Sequence, residues 1–279
     1  MEIITTISEL RRARRALIGR VGLVPTMGYL HAGHIALIEQ AARANDHVIV
    51  SIFVNPTQFG PSEDFASYPR DPDHDVTMLQ NAQVSLLFMP TVSEMYPAGF
   101  QTRVDVTDVS QALEGSHRPG HFRGVATVVS KLFNLIQPDA AYFGQKDAQQ
   151  VIVIQQMVRD LNFPLDIVVV PIQREADGLA LSSRNVYLSV AERAAAPVIY
   201  RALQAVRTRF EVGERQAEAL RQVALITLAA EPLATIEYVS VNDAETLIES
   251  GTAPISRPVL LSLAVNFGRT RLIDNILLG

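Results

Sequence analysis

The sequence contains no cysteine. Disulfide bonds and thiol catalysis are therefore excluded, and the composition fits a reducing interior. No run of apolar residues reaches the ~18 that a membrane helix needs, and the N-terminus carries no apolar signal segment. We therefore expect a cytoplasmic protein without a membrane partner.

An excess of positive charge is also missing. The 279 residues carry 24 lysines and arginines against 29 acidic residues, a net charge of -5. Since no basic stripe is present, we do not expect a nucleic-acid partner. The one local basic cluster, RRARR at 11–15, lies on a helical pattern and predicts a solvated helix face. The 48% hydrophobic content suffices for one large domain or two ordinary ones.

Short β-rich runs alternate with helical patterns over the first part of the chain. The predicted strands are 21–24, 47–54, 85–89, 103–106, 140–143 and 167–170. The predicted helices are 8–17, one containing 35–42, 75–82, one from the turn at 118–124 to about 136, and one from 144–147 to 161; residues 63–75 are a predicted surface loop. This alternation predicts an α/β fold with a Rossmann-like parallel sheet and helices on both faces.

The pattern changes in the last third of the chain. A polar loop at 181–185 precedes a capping box at 189–192, which opens a helix. A second helix at 217–230 and strands at 236–241, 259–267 and 272–276 follow. We therefore predict two domains, a Rossmann-like domain at 1–173 and a smaller C-terminal α/β lid domain at 174–279.

Two histidines, His31 and His34, lie where a predicted strand turns into a helix. Gly28 and Gly33 allow the backbone to approach a ligand closely. The helix start offers N–H groups and a positive dipole end, and imidazoles can donate to phosphate oxygens. The motif predicts a phosphate site, although by itself it also fits a surface turn or half of a metal site.

Other polar residues follow strands at the edge where a parallel sheet binds its ligand. Asn55 and Gln58 follow the second strand, and their amides suit hydroxyls and carboxylates, as does that of Gln150. Lys146 and Asp147 follow the fifth strand. The lysine could bind nucleotide phosphates or could lie at the surface.

Three further sets of side chains leave both a functional and an ordinary interpretation open. Ser182, Ser183 and Arg184 could bind a polyphosphate or form a turn between domains. The arginines Arg118 and Arg123 could neutralise an anionic substrate or stay solvated. Acidic residues at 73 and 75 could help to hold a metal or merely stabilise a helix start.

Five motifs together resemble the pantothenate synthetase, or pantoate–β-alanine ligase, family. They are PTMGYLHAGH at 25–34, FVNPTQF at 53–59, RPGHF at 118–122, GQKDAQQ at 144–150 and READGLALSSRN at 174–185. They occur in the expected order, and the resemblance covers essentially the whole chain, whereas His-x-Gly-His alone marks only a wider nucleotidyl-transferring superfamily. Leu181 stands where the family usually has methionine, a change that conserves volume.

The resemblance implies ATP-dependent ligation of (R)-pantoate and β-alanine through pantoyl adenylate, with Mg²⁺ accompanying ATP and a homodimeric assembly. It implies three catalytic residues: His31, His34 and Lys146. The implied ATP-binding residues are Pro25, Met27, His31, His34, Gly144, Gln145, Lys146, Asp147, Gln173, Leu181, Ser182, Ser183 and Arg184. The implied pantoate ligands are Met27, Gln58, Arg118 and Gln150, the implied β-alanine ligands are Asn55 and Gln58, and the implied metal ligand is Asp147.

Two other classes of protein compete with this interpretation. A nucleotidyltransferase such as a phosphopantetheine adenylyltransferase shares the histidine turn, but it needs neither the loop at 181–185 nor the C-terminal domain. A non-catalytic nucleotide-binding module would leave Asn55, Gln58 and Gln150 without a purpose.

Overall fold

The computed structural model describes residues 1–61 and 63–279 and contains two compact units. The first unit consists of Met1–Gln145 and Gln150–Pro171, and the second of Lys146–Gln149 and Ile172–Gly279. The domain limits drawn from the sequence, 1–173 and 174–279, stay a prediction of where folding units divide.

A six-stranded parallel sheet forms the centre of the first unit. Its strands are β1 (Glu2–Ile4), β2 (Val21–Thr26), β3 (His47–Ile52), β4 (Leu86–Phe88), β5 (Ala140–Gly144) and β6 (Asp166–Val170). They lie in the order β1-β4-β3-β2-β5-β6, so that β2 pairs with β3 on one side and β5 on the other. This is a Rossmann-like order with one added edge strand, and the chain changes direction across the sheet at β2. The predicted fold class is confirmed.

Seven α-helices of the described residues lie in the part of the chain that carries this sheet. They are α1 (Ile7–Ala16), α2 (Ala32–Ala44), α3 (Pro72–Gln80), α4 (Val92–Met95), α5 (Glu114–His117), α6 (His121–Ile136) and α7 (Ala148–Asp160). Short 3₁₀ turns cover Pro56–Gln58 and Gln145–Asp147. Throughout 1–61 and 63–279, no helix has the length and apolar character needed to cross a bilayer.

A three-stranded antiparallel sheet and three helices make up most of the second unit. Its strands, in the order β7-β8-β9, are β7 (Ala234–Asp243), β8 (Val259–Phe267) and β9 (Thr270–Leu278). The helices are α8 (Val190–Ala195), α9 (Val198–Glu211) and α10 (Ala217–Ala229), preceded by a 3₁₀ turn at Ser183–Tyr187. Ser189 and Glu192 form the predicted capping box of α8.

Several local predictions were wrong. Residues 103–106 form no strand, since the N–H of Val104 donates to the Thr127 hydroxyl at 3.0 Å instead of to a neighbouring strand. The helix predicted to follow the turn at 118–124 already begins at His121, after a left-handed Gly120. Strand β1 and helix α9 were not predicted, and α3 begins three residues before its predicted start.

The basic cluster on α1 is only partly solvated. Arg14 donates from Nε to the Ile136 carbonyl at 2.7 Å and from Nη2 to the Gln137 carbonyl at 3.0 Å. These carbonyls lie at the C-terminus of α6, where cations are favourable. Arg14 therefore stabilises a helix end and does not belong to the solvated face that was predicted.

Candidate active site

The histidine turn follows β2, and its histidines cap the helix that they begin. The Nδ1 of His31 accepts the Gly33 N–H at 3.1 Å, and the Nδ1 of His34 accepts the His31 N–H at 3.3 Å. A ring nitrogen that accepts a hydrogen bond carries no proton, so the neutral rings are protonated on Nε2. Both histidines can therefore donate through Nε2 to a phosphate oxygen. One of the N–H groups at the helix start, that of Gly33, already donates to His31.

A buried carboxylate holds the turn that precedes the histidines. Gly28 and Tyr29 have φ angles of 84° and 51°, in the left-handed region. Asp75, 2% exposed, accepts the N–H of Tyr29 at 2.9 Å and that of Leu30 at 2.6 Å. Burial raises the pKa of Asp75, and the two N–H groups oppose this shift by favouring the carboxylate. This role of Asp75 cannot be predicted from a local motif, since 45 or more positions separate Asp75 from its partners.

Three predicted substrate ligands, Met27, Asn55 and Gln58, meet beside this turn. The Asn55 amide donates to the Gln58 Oε1 at 3.1 Å, and the Gln58 Nε2 lies 3.1 Å from the Met27 sulfur. Asn55 is 1% exposed and Gln58 is 7% exposed. Gly124 permits this packing, because a Cβ there would lie 2.3 Å from the Thr57 carbonyl oxygen. The loop after β3 is therefore fixed closely against α6.

Arg118, a predicted pantoate ligand, is paired with a carboxylate. Its Nε and Nη2 donate to the two carboxylate oxygens of Glu63 at 2.9 and 2.6 Å. Burial alone would raise the pKa of Glu63, but the hydrogen bond and the charge of Arg118 outweigh burial and lower it. A role of Arg118 toward pantoate stays a prediction.

His121 links Arg118 to the loop that carries Gln58. Its Nδ1 lies 2.8 Å from the Gln58 carbonyl oxygen, and its Nε2 lies 3.2 Å from Nη1 of Arg118. Because a carbonyl only accepts and a guanidinium only donates, Nδ1 carries the proton and Nε2 is the acceptor. Burial, followed by the charge of Arg118, lowers the pKa of His121 to about 4. This role of His121 was not predicted from the sequence.

In the second unit, Lys146 and Asp147 lie next to each other on the 3₁₀ turn that follows β5. The ammonium of Lys146 lies 3.7 Å from the Asp147 carboxylate. Asn275 of β9 donates to the Lys146 carbonyl at 2.9 Å, which fixes the backbone of this segment. The Lys146 side chain is 21% exposed.

The serine–arginine loop of the second unit has a defined structure. Leu181 donates its N–H to the Gln173 carbonyl at 2.9 Å, and Ser182 accepts the N–H of Arg184 at 3.3 Å. Arg174 lies at the start of this segment and donates to both carboxylate oxygens of Asp274, at 2.6 and 3.0 Å. These contacts make the loop a fixed platform and not an irregular connection.

The other predicted site residues are divided between the two units. The first unit also contains Pro25 at the end of β2, Gly144 at the end of β5, Gln145 after it and Gln150 on α7. The second unit also contains Ser183, which is buried at the start of a 3₁₀ turn. In 1–61 and 63–279, no group of three His, Asp or Glu side chains is arranged to hold a metal ion. The possibility that Asp73 and Asp75 hold a metal therefore gains no support.

The fold and the first unit's site define a class of protein. A Rossmann-like sheet binds its ligand at the carboxyl ends of its strands, and the helix start that carries the histidine pair lies at such an end, where it suits nucleotide phosphates. The family model described as pantoate-beta-alanine ligase matches residues 2–277. The chain belongs to the pantoate–β-alanine ligase family, whose members are ligases of pantothenate biosynthesis.

Individual relatives agree over the full length. The chain is 58% identical to the pantothenate synthetase of Herpetosiphon aurantiacus and 59% identical to that of Roseiflexus sp., covering 100% of this chain and 100% and 99% of those proteins. The structure is similar to pantothenate synthetase from Thermus thermophilus, with a TM-score of 0.93, 50% identity and 99% of both chains covered. It is also similar to pantoate-beta-alanine ligase from Francisella tularensis complexed with beta-gamma ATP and beta-alanine, with a TM-score of 0.82, 37% identity and 99% and 97% coverage.

Proposed function

We propose that this ligase joins (R)-pantoate to β-alanine in two steps that share one ATP. In the first, a pantoate carboxylate oxygen attacks the α-phosphorus of ATP, and the bond to the β-phosphate breaks to release pyrophosphate. In the second, the amine of β-alanine attacks the acyl carbon of pantoyl adenylate. The acyl C–O bond breaks, AMP leaves, the amine loses a proton and pantothenate forms.

The observation that carries this proposal is the pair of donors beside the buried amide of Gln58. His31 and His34 are protonated on Nε2 and suit phosphate oxygens, whose negative charge grows in the first step. Gln58 suits a small polar substrate, because a buried amide binds hydroxyl or carboxylate oxygens specifically. A module that only bound nucleotide would need no such second set of polar groups.

We assign the ATP phosphates and the metal as follows. Lys146 binds the β and γ phosphates, and Ser182, Ser183 and Arg184 bind the polyphosphate. The remaining proposed ATP contacts are Pro25, Met27, Gly144, Gln145, Gln173 and Leu181. Mg²⁺ typically uses one or two carboxylates together with substrate phosphates and water. The exposed carboxylate of Asp147 fits that pattern, and the ion would neutralise the leaving pyrophosphate.

The small substrates are assigned to the first unit's amides. Gln58 and Gln150 bind pantoate together with Met27, and Arg118 contributes positive charge once its pairing with Glu63 is exchanged for substrate. Gln58 and its neighbour Asn55 border the β-alanine position. We also propose a homodimer and a cytoplasmic location, which the family resemblance and the composition respectively support.

Pyrophosphate exchange tests the proposed reaction. We expect the protein with ATP and pantoate, but without β-alanine, to exchange labelled pyrophosphate into ATP. Addition of β-alanine should then produce AMP and pantothenate in equal amounts. Exchange that runs equally well without pantoate would contradict the adenylate mechanism and would support a nucleotidyltransferase.

A further inference from the structure

The orientation of the Asn55 amide is fixed by partners that allow only one arrangement. Its Oδ1 accepts the backbone N–H of Thr57 at 3.3 Å, and a backbone N–H can only donate. Its Nδ2 faces the Gly124 carbonyl oxygen at 3.2 Å, and a carbonyl can only accept. The oxygen and the nitrogen of Asn55 therefore cannot be exchanged.

The Asn55 orientation in turn determines that of Gln58. The second hydrogen of the Asn55 Nδ2 points to the Gln58 side chain at 3.1 Å, so the atom that it meets must be the acceptor Oε1. The Gln58 Nε2 is then on the other side of the amide, toward the Met27 sulfur at 3.1 Å. Gln58 thus presents N–H groups, and not its oxygen, to the side on which Met27 lies.

Both hydrogens of the Asn55 amide are used within the protein. One goes to Gln58 and the other to Gly124, and the residue is 1% exposed. Asn55 therefore has no donor left for a substrate. Its geometry suits a residue that orients Gln58.

The hydroxyl of Tyr96, which lies outside the loop that carries Asn55, also binds the Asn55 side chain. Its Oη donates to the Asn55 Oδ1 at 2.9 Å, across 41 positions of sequence. The ring packs against Phe53 and Phe100, with centroid distances of 6.1 and 5.1 Å. Burial raises the pKa of Tyr96, which keeps the hydroxyl protonated as a donor.

We propose that Tyr96 and Asn55 are positioning residues that orient the Gln58 amide so that its N–H groups face the substrate. The inference rests on the proposed assignment of pantoate to Gln58. It also restricts the ligand: the atom bound by Gln58 must accept a hydrogen bond, as a hydroxyl or carboxylate oxygen does. The ammonium of β-alanine is excluded from that position, so β-alanine would meet Gln58 through its carboxylate.

Paired tyrosine variants test the inference. Tyr96→Phe removes only the hydroxyl, and Tyr142→Phe is the matched control, since the buried Tyr142 Oη accepts from Asn45 at 2.7 Å. For Tyr96→Phe we expect the KM for pantoate in pyrophosphate exchange to rise about tenfold, the size expected for one lost buried hydrogen bond, while the KM for ATP stays unchanged. Tyr142→Phe should leave both KM values unchanged. Equal KM values for pantoate in Tyr96→Phe and the parent protein would overturn the inference.

A double-mutant cycle separates positioning from a structural effect. In a Gln58→Leu background, Tyr96→Phe should change the KM for pantoate less than twofold, because the amide that it orients is gone. If the two substitutions acted independently, their fold-changes in the KM for pantoate would multiply in the double variant. That result would refute positioning through Gln58. If Gln58→Leu alone left pantoate binding intact, the pantoate assignment itself would fail. If Gln58→Leu weakened pantoate binding and Tyr96→Phe did not, only the positioning inference would fail.

Discussion

His121 should make the stability of this protein depend on pH between about 4 and 6.5. The charges that act on its ring are those of Arg118, Glu63 and Glu114, and burial together with Arg118 outweighs the two acids. The ring is therefore neutral in the folded protein over this interval, whereas in the unfolded chain it binds a proton near its ordinary pKa of 6.5. Protonation of the folded ring would also place an N–H on Nε2, opposite the Arg118 guanidinium.

The sign and size of the effect follow from linkage. Because the unfolded chain binds more protons between pH 4 and 6.5, stability falls as pH decreases through this interval. With pKa values of 6.5 and about 4, His121 alone should lower the free energy of unfolding by about 2 kcal/mol at about pH 5, and by about 3 kcal/mol by about pH 4. Above about pH 7 the ring is neutral in both the folded and the unfolded chain, so His121 no longer lowers the free energy of unfolding.

The substitution His121→Asn removes the titration and keeps an N–H donor for the Gln58 carbonyl. Urea unfolding at about pH 7 and about pH 5 should show a pH-dependent loss that is smaller in His121→Asn than in the parent protein by about 2 kcal/mol. His74→Asn, a change at an exposed histidine of α3, is the matched control for losing a histidine. An equal loss in His121→Asn and in the parent protein would refute the neutral, buried state of this ring.

Three further predictions concern the phosphate donors and the second unit's ion pair. In single-turnover assays, His31→Ala and His34→Ala should each slow adenylation by about 10²–10³-fold. The rate loss of the double variant should be smaller than the product of the two single losses, because both histidines are proposed donors to the same phosphate charge. Lys146→Ala should slow adenylation without changing the melting temperature, and a variant with normal turnover and normal ATP affinity would make Lys146 an ordinary surface lysine. Asp274→Asn leaves the largely buried Arg174 without its ion pair, so it should lower the unfolding free energy in urea by about 3 kcal/mol, and a loss under about 1 kcal/mol would contradict this account.

The fold was predictable where the local pattern and the tertiary contacts agree. The strand at 259–267 has the predicted bounds, and the capping box at Ser189 begins the helix that it predicted. Residues 103–106 show the opposite case. Their valines alternate as in a strand, yet the N–H of Val104 donates to a threonine of α6. Strand β1 has only three residues, and its partner at the sheet edge, β4, lies more than eighty positions away in the sequence. A local pattern therefore does not reveal it.

The residue types of the candidate site were also predictable, because His-x-Gly-His and the Asn-Pro-Thr-Gln loop are continuous in sequence. The pairing of Arg118 with Glu63 was not, since 55 positions separate the two side chains. The same holds for Asp75, whose place among acidic residues at a helix start suggests an ordinary helix-stabilising role. Sequence patterns identify which groups are available, but only tertiary contacts show which of them are already engaged.

Contacts in the folded protein also decide whether a site group donates or accepts. An amide or an imidazole can do either, and its residue type alone does not distinguish the two. The backbone of the histidine turn itself directs the protons of His31 and His34 to Nε2, whereas Gln58 depends on Asn55, which is held by Tyr96 41 positions away and by Gly124 69 positions away. All three side chains therefore present hydrogens, and the substrates that suit them present oxygens. A phosphate and a hydroxylated carboxylate both meet that requirement.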